Sequence, residues 1–384
     1  MKSDFIVLGG GIAGASCAYF LSRHGRVTLL EREEHFGRHA SGRSAAVFSE
    51  YFGNASVRAL TAASRGFFET PPAGLTDVPL LSPRGVVALA SPGDVARGRF
   101  AAALAGGLEA AQRPVEISLN EACNLCPILA PRRYARALYR PSVMDIDVDA
   151  LHQGLLRQVR AGGGKILSDV GVNAISQATG SWLVRTGAGD HVAPCIVNAA
   201  GAWADELAGL AGVAPIGILP RRRTVALVEL PLAAIGQRAL AAWPMVVDLA
   251  DSFYFKPESG KLLVCPCDET LAAPGDAQPE ELDVAQAIAR LEEVTTLSVR
   301  RVTHKWAGLR SFVADGRPVL GQAPDAPGFF WVAALGGFGI QAAPAIGAAL
   351  ASLAVYGKMP PQLNGLAMDA RLLSPARVQP AGAL

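Results

Sequence analysis

The sequence predicts an α/β fold: a Rossmann-like nucleotide-binding domain with an inserted α+β domain dominated by an antiparallel sheet. Three observations predict it. The first 32 residues read strand, glycine turn, helix, strand and acid. Features of the same fold recur at two later places, Asp145 to Trp203 and Gly328 to Ala351. Between these places lie β-rich, proline-punctuated stretches, Leu80 to Pro141 and Arg223 to Lys305. The interleaving implies one nucleotide domain assembled from residues 1–80, 146–222 and 318–384. The second domain would then be built from its insertions, 81–145 and 223–317.

Taken in order, Phe5 to Leu8 is a short apolar run suited to a buried parallel strand. Gly9, Gly11 and Gly14 follow as G-x-G-x-x-G, with Ile12 and Ala13 opening a helix that continues over Ala15 to Ser22. Gly9 permits the tight turn, Gly11 lets a pyrophosphate approach the backbone, and Gly14 lets the helix pack on the strand. The pyrophosphate is held by the free N–H groups and dipole of the helix N-terminus. A second strand, Val27 to Leu30, ends in Glu31 and Arg32. An acid about 20 residues after the first glycine binds ribose hydroxyls and repels a 2′-phosphate, which argues against NADP. Gly37 to Ala46 is polar and glycine-bearing where an NAD-binding fold goes straight into its next helix. Ser41, Gly42, Arg43 and Ser44 read as a second loop over a phosphate, with Arg43 as countercharge. Ala45 and Ala46 leave room for something flat and large. The competing reading is an ordinary helix N-cap at Ser41; with the glycine unit, the pattern favours FAD.

The second place begins with an amphipathic helix from Asp149 and a strand at Lys165 to Leu167, then Val170 to Ile175, which includes Val172. Ile196 to Asn198 then ends in Ala200, Gly201, Ala202 and Trp203, small residues such as a strand shows where its carboxyl end abuts a cofactor. At the third place, Phe329 to Ala333 is a strand. Gly336, Gly337, Phe338 and Gly339 then turn into a helix through Ile340 and Gln341. A helix starting there aims its N-terminal dipole at the cofactor, where it stabilises negative charge on a reduced flavin ring.

Composition sets limits. The chain has 384 residues, 51% of them hydrophobic and 18% charged, enough for a sizeable core of two or three domain-sized units. A net charge of +2 gives no reason to propose nucleic acid or a membrane surface as partner. The one basic run, Arg221 to Arg223, follows Pro220 and reads as a loop leading into a strand. The apolar segment Phe329 to Val355 is broken by glycines, Gln341 and Pro344. It reads as strand, turn and buried helix, so no integral membrane segment is expected and a cytoplasmic protein is. The six cysteines form no disulfide pattern. Cys123-Asn-Leu-Cys126 and Cys265-Pro-Cys267 are close pairs, read as small core residues in preference to redox pairs. His35 and His39 flank Gly37 in a loop, and no metal-ligand spacing appears, so no metal is expected.

Together these motifs resemble the FAD-dependent D-amino-acid oxidase superfamily, which includes glycine and sarcosine oxidases. Within it the nearest likeness is to bacterial D-arginine dehydrogenases. The likeness is carried by Ser41 to Ala46, Val57 to Arg65, Leu80 to Arg84, Ala150 to Gly154, Asn198 to Trp203, Ser252 to Tyr254, Trp306 to Asp315 and Gly336 to Gln341. It implies non-covalent FAD and oxidation of a D-amino acid at its α-carbon. A hydride passes to flavin N5, and the imino acid hydrolyses to a 2-oxo acid and ammonia. It further implies an electron acceptor, a quinone, oxygen or another, that the sequence leaves unidentified. By the same resemblance Arg310 and Tyr254 hold the substrate carboxylate, Arg223 lines the site, and the Gly308 carbonyl accepts from the amine. Gln341 and Ser49 then lie near flavin or substrate. No cysteine lies in Trp306 to Asp315 or Gly336 to Gln341 to attach a flavin covalently.

Departures from the family bear on substrate. Where the arginine-preferring enzymes have an acid after Leu81-Ser82-Pro83-Arg84, this chain has Val86. A histidine and a tyrosine of their active-site loop are Val47 and Phe52 here. A buried guanidinium without its partner costs about 3–5 kcal/mol by analogy with broken ion pairs. The expectation is a preference for neutral or apolar side chains, with Glu50 or Tyr51 as the groups able to replace the missing acid. D-arginine itself, and glycine, sarcosine, D-proline or an opine-like amine, stand as alternatives. An NAD-linked dehydrogenase or a non-catalytic nucleotide binder is a further one.

Overall fold

The computed structural model describes residues 2–105, 113–231, 239–364 and 369–378. Parts of the expected β-rich stretches (106–112 and 232–238) and of the last expected segment (365–368 and 379–384) lie outside the described residues.

Phe5–Leu8 is buried at every position, and its alternate residues serve two cores. Phe5 and Val7 pack with helices on one face, Ile6 and Leu8 with a small sheet on the other. That double burial is why the strand reads as an unbroken apolar run. The sheet runs Val319–Gln322, Phe329–Ala333, Cys195–Asn198, Phe5–Leu8, Val27–Leu30, Lys165–Leu167. All neighbours are parallel except the first pair. Leu8 is in register with both Leu30 and Asn198, so three strand ends open side by side.

Helices Ile12–Leu21, Ala55–Glu69, Val148–Ala161 and Gly339–Tyr356 cover the first face. The first and last of these nearly touch: the Ser16 hydroxyl donates to the Ala343 carbonyl at 2.6 Å. A Cβ on Gly347 would stand 2.4 Å from Ser16 Oγ. On the opposite face, an antiparallel meander of Val172–Ala178, Ser181–Thr186 and Gly189–Ala193 packs Ile175, Trp182 and Val184 on Ile6 and Leu8.

The inserted part is a nine-stranded sheet. Its pairings are antiparallel, except that Met245–Asp248 runs parallel to Val86–Ala90. Helices Leu119–Leu125 and Glu281–Val294 cover one face. The other face carries Val86, Val225, Met245, Tyr254, Leu263 and Cys265, with Ala45 and Val47 packed against it. That face therefore roofs the nucleotide unit. A small sheet of Val47–Phe48, Met144–Ile146 and Leu81–Pro83 stitches the two together. The fold is the α/β class with an inserted antiparallel sheet that the sequence predicts.

Some local expectations are corrected. Arg221 to Arg223 is no loop: it lies inside the strand Leu219–Val228, which also spans the expected boundary between 222 and 223. Three arginines show no apolar alternation, and the strand is possible because acids meet them, Glu269 on Arg221 and Arg223 and Asp283 on Arg222. The stretch read as β-rich holds the 14-residue helix Glu281–Val294. The buried helix expected after the Gly336–Gly339 turn is present as Gly339–Tyr356, with Pro344 inside it. By length and composition that helix could cross a membrane, but it is packed as a core helix with Ile340 to Gly347 buried.

Candidate active site

The three open strand ends, the glycine turns and the roof of the inserted sheet enclose one cavity of about 470 Å³. Gly9, Gly11, Ile12 and Ala13 line it. Gly9 has φ +104°, and a Cβ there would lie 2.6 Å from the Ala199 carbonyl oxygen. Gly14 lies behind the wall, where a Cβ would meet the Gly9 carbonyl oxygen at 1.8 Å. The turn is pinned from outside by His152, whose Nε2 lies 2.9 Å from the Gly10 carbonyl oxygen. Glu31 and Arg32 line the cavity at the next strand end. The Glu31 carboxylate accepts from the N–H groups of Gly10 at 2.7 Å and Glu33 at 2.9 Å, which fixes it beside the turn. Arg32 stacks over Trp203, 3.9 Å from the ring centroid, and His39 lies against the same ring. Val172, Ala200 and Gly201 complete this end.

The second loop is present with an altered role. Ser41, Arg43, Ser44 and Ala45 line the cavity; Gly42 and Ala46 do not. Ser41 Oγ accepts from the Ile12 N–H at 2.9 Å and so caps the first helix across the loop. Arg43 is no free countercharge. Its guanidinium pairs with Asp276 and donates to the carbonyls of Ala307 at 2.9 Å and Ala277 at 3.0 Å. It ties the loop to the roof.

At the far end, Gly308, Arg310, Tyr254 and Arg223 line the cavity from three strands of the roof. Arg310 is half-buried and lies over the Gly337 turn, where a Cβ would stand 2.6 Å from its Cζ. Among the described residues it makes no ion pair, whereas Arg223 meets Glu269 at 2.8 Å. Burial pushes the Tyr254 hydroxyl well above the usual phenol range, the Cys265 and Cys267 thiols push it further, and Arg310 only partly opposes them. Tyr254 is therefore a neutral donor. Burial works against the Arg223 charge, but Cys265, Cys267, Tyr254 and Asp251 outweigh it and hold the pKa up.

Gly336, Gly337, Gly339 and Ile340 line the cavity; Phe338 does not. Gln341 and Ser49 are brought together behind the wall, where Gln341 Oε1 accepts from the Ser49 N–H at 3.0 Å. The Gln341 amide nitrogen is buried with no hydrogen-bond partner among the described residues.

The expected side-chain pocket is more divided. Val47, Glu50, Phe52 and Val86 do not line the cavity. Glu50 is buried and already paired with Arg65 at 2.8 Å, so it is no free replacement acid. Val86 is fully buried, and its cross-strand partner is Arg140. Arg140 was not visible from sequence as a site residue, because only strand register places it beside Val86. Its guanidinium is 4.8 Å from the Tyr51 ring centroid, its Nε has no partner, and no described carboxylate pairs with it. Burial holds its pKa below the usual arginine value, against the pull of Tyr51.

The glycine cradles and the long cavity fit an FAD. The comparisons agree. A family model described as DAO, FAD dependent oxidoreductase, matches residues 4–353. Glycine oxidase of Geobacillus kaustophilus (strain HTA426) is 24% identical over 92% of this chain and 93% of its own. The crystal structure of glycine oxidase from Geobacillus kaustophilus superposes with a TM-score of 0.79 at 23% identity, covering 98% of this chain and 99% of that one. FAD-dependent oxidoreductase domain-containing protein 1 of Bos taurus is 25% identical over 93% of this chain and 82% of its own. L-proline dehydrogenase of P. horikoshii has a TM-score of 0.80 at 20% identity, with 98% and 97% covered. With the family matched over most of its length, this chain belongs to the FAD dependent oxidoreductases and takes FAD as its cofactor.

Proposed function

We propose that this chain oxidises a small amino acid at its carbon–nitrogen bond, with a preference for the D configuration. One observation carries the reading: Arg310 and Gly308, on one strand of the roof, and Tyr254, on another, converge on the same cavity end, facing the Gly336–Gly337 turn. A guanidinium and a neutral phenol suit a carboxylate, the first by two parallel charge-assisted bonds and the second by one more. The Gly308 carbonyl then accepts from the amine and aims the α-carbon across the cavity. Non-covalent FAD, when bound, supplies the redox chemistry by accepting a hydride from that carbon. The roof residues hold and orient the substrate and exclude water. Glycine oxidase and L-proline dehydrogenase among the similar proteins support an amino-acid substrate. The D preference rests on the likeness to D-arginine dehydrogenases.

Cationic side chains are disfavoured, because this chain has Val86 where those enzymes have an acid, and the cross-strand partner of Val86 is itself a cation, Arg140. Neutral or apolar side chains remain the preferred reading, with glycine, sarcosine, D-proline and opine-like amines as alternatives. D-arginine is the weaker second reading. Six free cysteines fit a cytoplasmic location. Anaerobic mixing of the holoenzyme with D- and L-amino acids, watching flavin absorbance, tests all of this. Bleaching by neutral D-amino acids and not by D-arginine is expected. Fastest bleaching by D-arginine would discard the pocket and keep the reaction; no bleaching by any amino acid or secondary amine would sink the reaction itself.

A further inference from the structure

Two thiols stand beside the carboxylate end of the cavity with no part in the proposed reaction. Cys265 ends the strand Lys261–Cys265 and is the cross-strand partner of Tyr254. Pro266 cannot continue the ladder, and Cys267 turns the chain back with φ +55°. The Cys267 N–H consequently points at Cys265 Sγ, 3.4 Å away, and the two thiols are within hydrogen-bonding reach of each other. Arg290 grips the turn by donating to the carbonyls of Pro266 and Ser252. Neither cysteine is in a disulfide; Cys265 is fully buried and Cys267 half-buried.

The surroundings separate the pair into a nucleophile and a partner. Burial opposes ionisation of Cys265, but the hydrogen bond from Cys267 and the charges of Arg223 and Arg310 outweigh it, pulling its pKa down to about 7. The Cys267 thiol is held up, first by its bond to Cys265 and then by burial. Asp251 Oδ1 lies 3.6 Å from Cys267 Sγ, placed to receive its proton. The contrast within the chain is Cys17 and Cys195, which burial alone pushes up and leaves inert.

We propose that Cys265 and Cys267 are a peroxide-sensitive pair that closes to a disulfide beside the substrate site. The Cys265 thiolate attacks one oxygen of hydrogen peroxide, forming an S–O bond; the O–O bond breaks and the other oxygen leaves as water after taking a proton. The Cys267 thiol gives its proton to Asp251 and attacks the Cys265 sulfur. The S–S bond forms, the S–O bond breaks, and the hydroxide leaves as a second water with that proton. Both sulfurs are oxidised by one electron each and the peroxide is reduced by two. The turn holds the two residues together, with the Cys267 N–H 3.4 Å from Cys265 Sγ.

The test is to treat the FAD-loaded protein with hydrogen peroxide, remove the peroxide, unfold and alkylate the protein, digest it and weigh the peptides. The expected result is a Cys265–Cys267 peptide lighter by two hydrogens and closed to alkylation, restored by dithiothreitol, while Cys123 and Cys126 stay alkylatable. The rate should rise with pH through about 7, as the thiolate forms, and not through the ordinary thiol range. In Cys267→Ser, a sulfenic acid should persist on Cys265 and be captured by dimedone. Alkylation of both thiols after peroxide, or no dimedone adduct in Cys267→Ser, overturns the proposal. Mass is the readout, so the result is independent of which amine the enzyme oxidises.

Discussion

Among the arginines that line the cavity at its substrate end or in the second loop, Arg310 differs in one respect: no described carboxylate pairs with it. Arg43 is held by Asp276 and Arg223 by Glu269, so the charge free to meet a substrate anion is that of Arg310. Arg310→Met should lower kcat/KM by roughly a hundredfold, about 3 kcal/mol for two charge-assisted bonds, with FAD content unchanged. Arg310→Lys should recover only part, since an ammonium cannot make the paired contact. Steady-state kinetics on the best substrate check both, and a variant with unaltered kcat/KM would remove Arg310 from the site. Val86 carries a second residue-scale prediction. Substituting Val86→Glu alone should not create D-arginine oxidation, because the new carboxylate would pair with Arg140 across the strands. Flavin bleaching by D-arginine in the Val86→Glu variant would place that position in contact with the substrate.

At the scale of elements, the glycine turn depends on helices distant in sequence. His152, on Val148–Ala161, is buried against the Gly10 carbonyl, and burial holds its pKa below the ordinary value despite Gly10, Asp149 and Glu31. In the unfolded chain it takes up a proton more readily. Its contribution is therefore complete above the unfolded pKa of about 6.5 and is lost as pH falls below it. The melting temperature should drop between pH 7 and 5, and His152→Gln should flatten that drop; an unchanged slope would mean other groups govern it. Gly347 is the second dependence, where the first and last helices meet against Ser16. Gly347→Val should cost about 1–3 kcal/mol by overpacking, measured by urea unfolding.

At the scale of the whole molecule, the cavity is walled by both sheets, so FAD should act as a fastener between them. Binding to the folded state alone stabilises it by about 2.7 kcal/mol at a hundredfold excess over Kd. Stripping FAD should lower the melting temperature, and adding it back should restore it in a concentration-dependent way. A melting temperature indifferent to FAD would mean that the cofactor does not join the two sheets. Direct ties between roof and nucleotide unit include Arg43 on Ala307 and Trp306 Nε1 donating to the Arg43 carbonyl at 2.9 Å.

The nucleotide half of this protein was legible from sequence because its chemistry is local. Strand, turn, helix and acid lie within 32 residues, and glycines are required where backbone approaches backbone, as Gly9 and Gly14 show. The same holds for the Gly336–Gly337 turn and its helix. At the substrate end, the family resemblance named Arg310, Tyr254, Gly308 and Arg223, but only the tertiary structure decided what surrounds them. Strand register sets Arg140 beside Val86 and Cys265 beside Tyr254. Helix packing sets Gln341 under Ser49, and an ion pair with Asp276 occupies the Arg43 charge. These partners are 11 to 292 residues apart, and no spacing in a single sequence records which strands will pair. Backbone conformation is written locally, whereas the company a side chain keeps is set by register and packing.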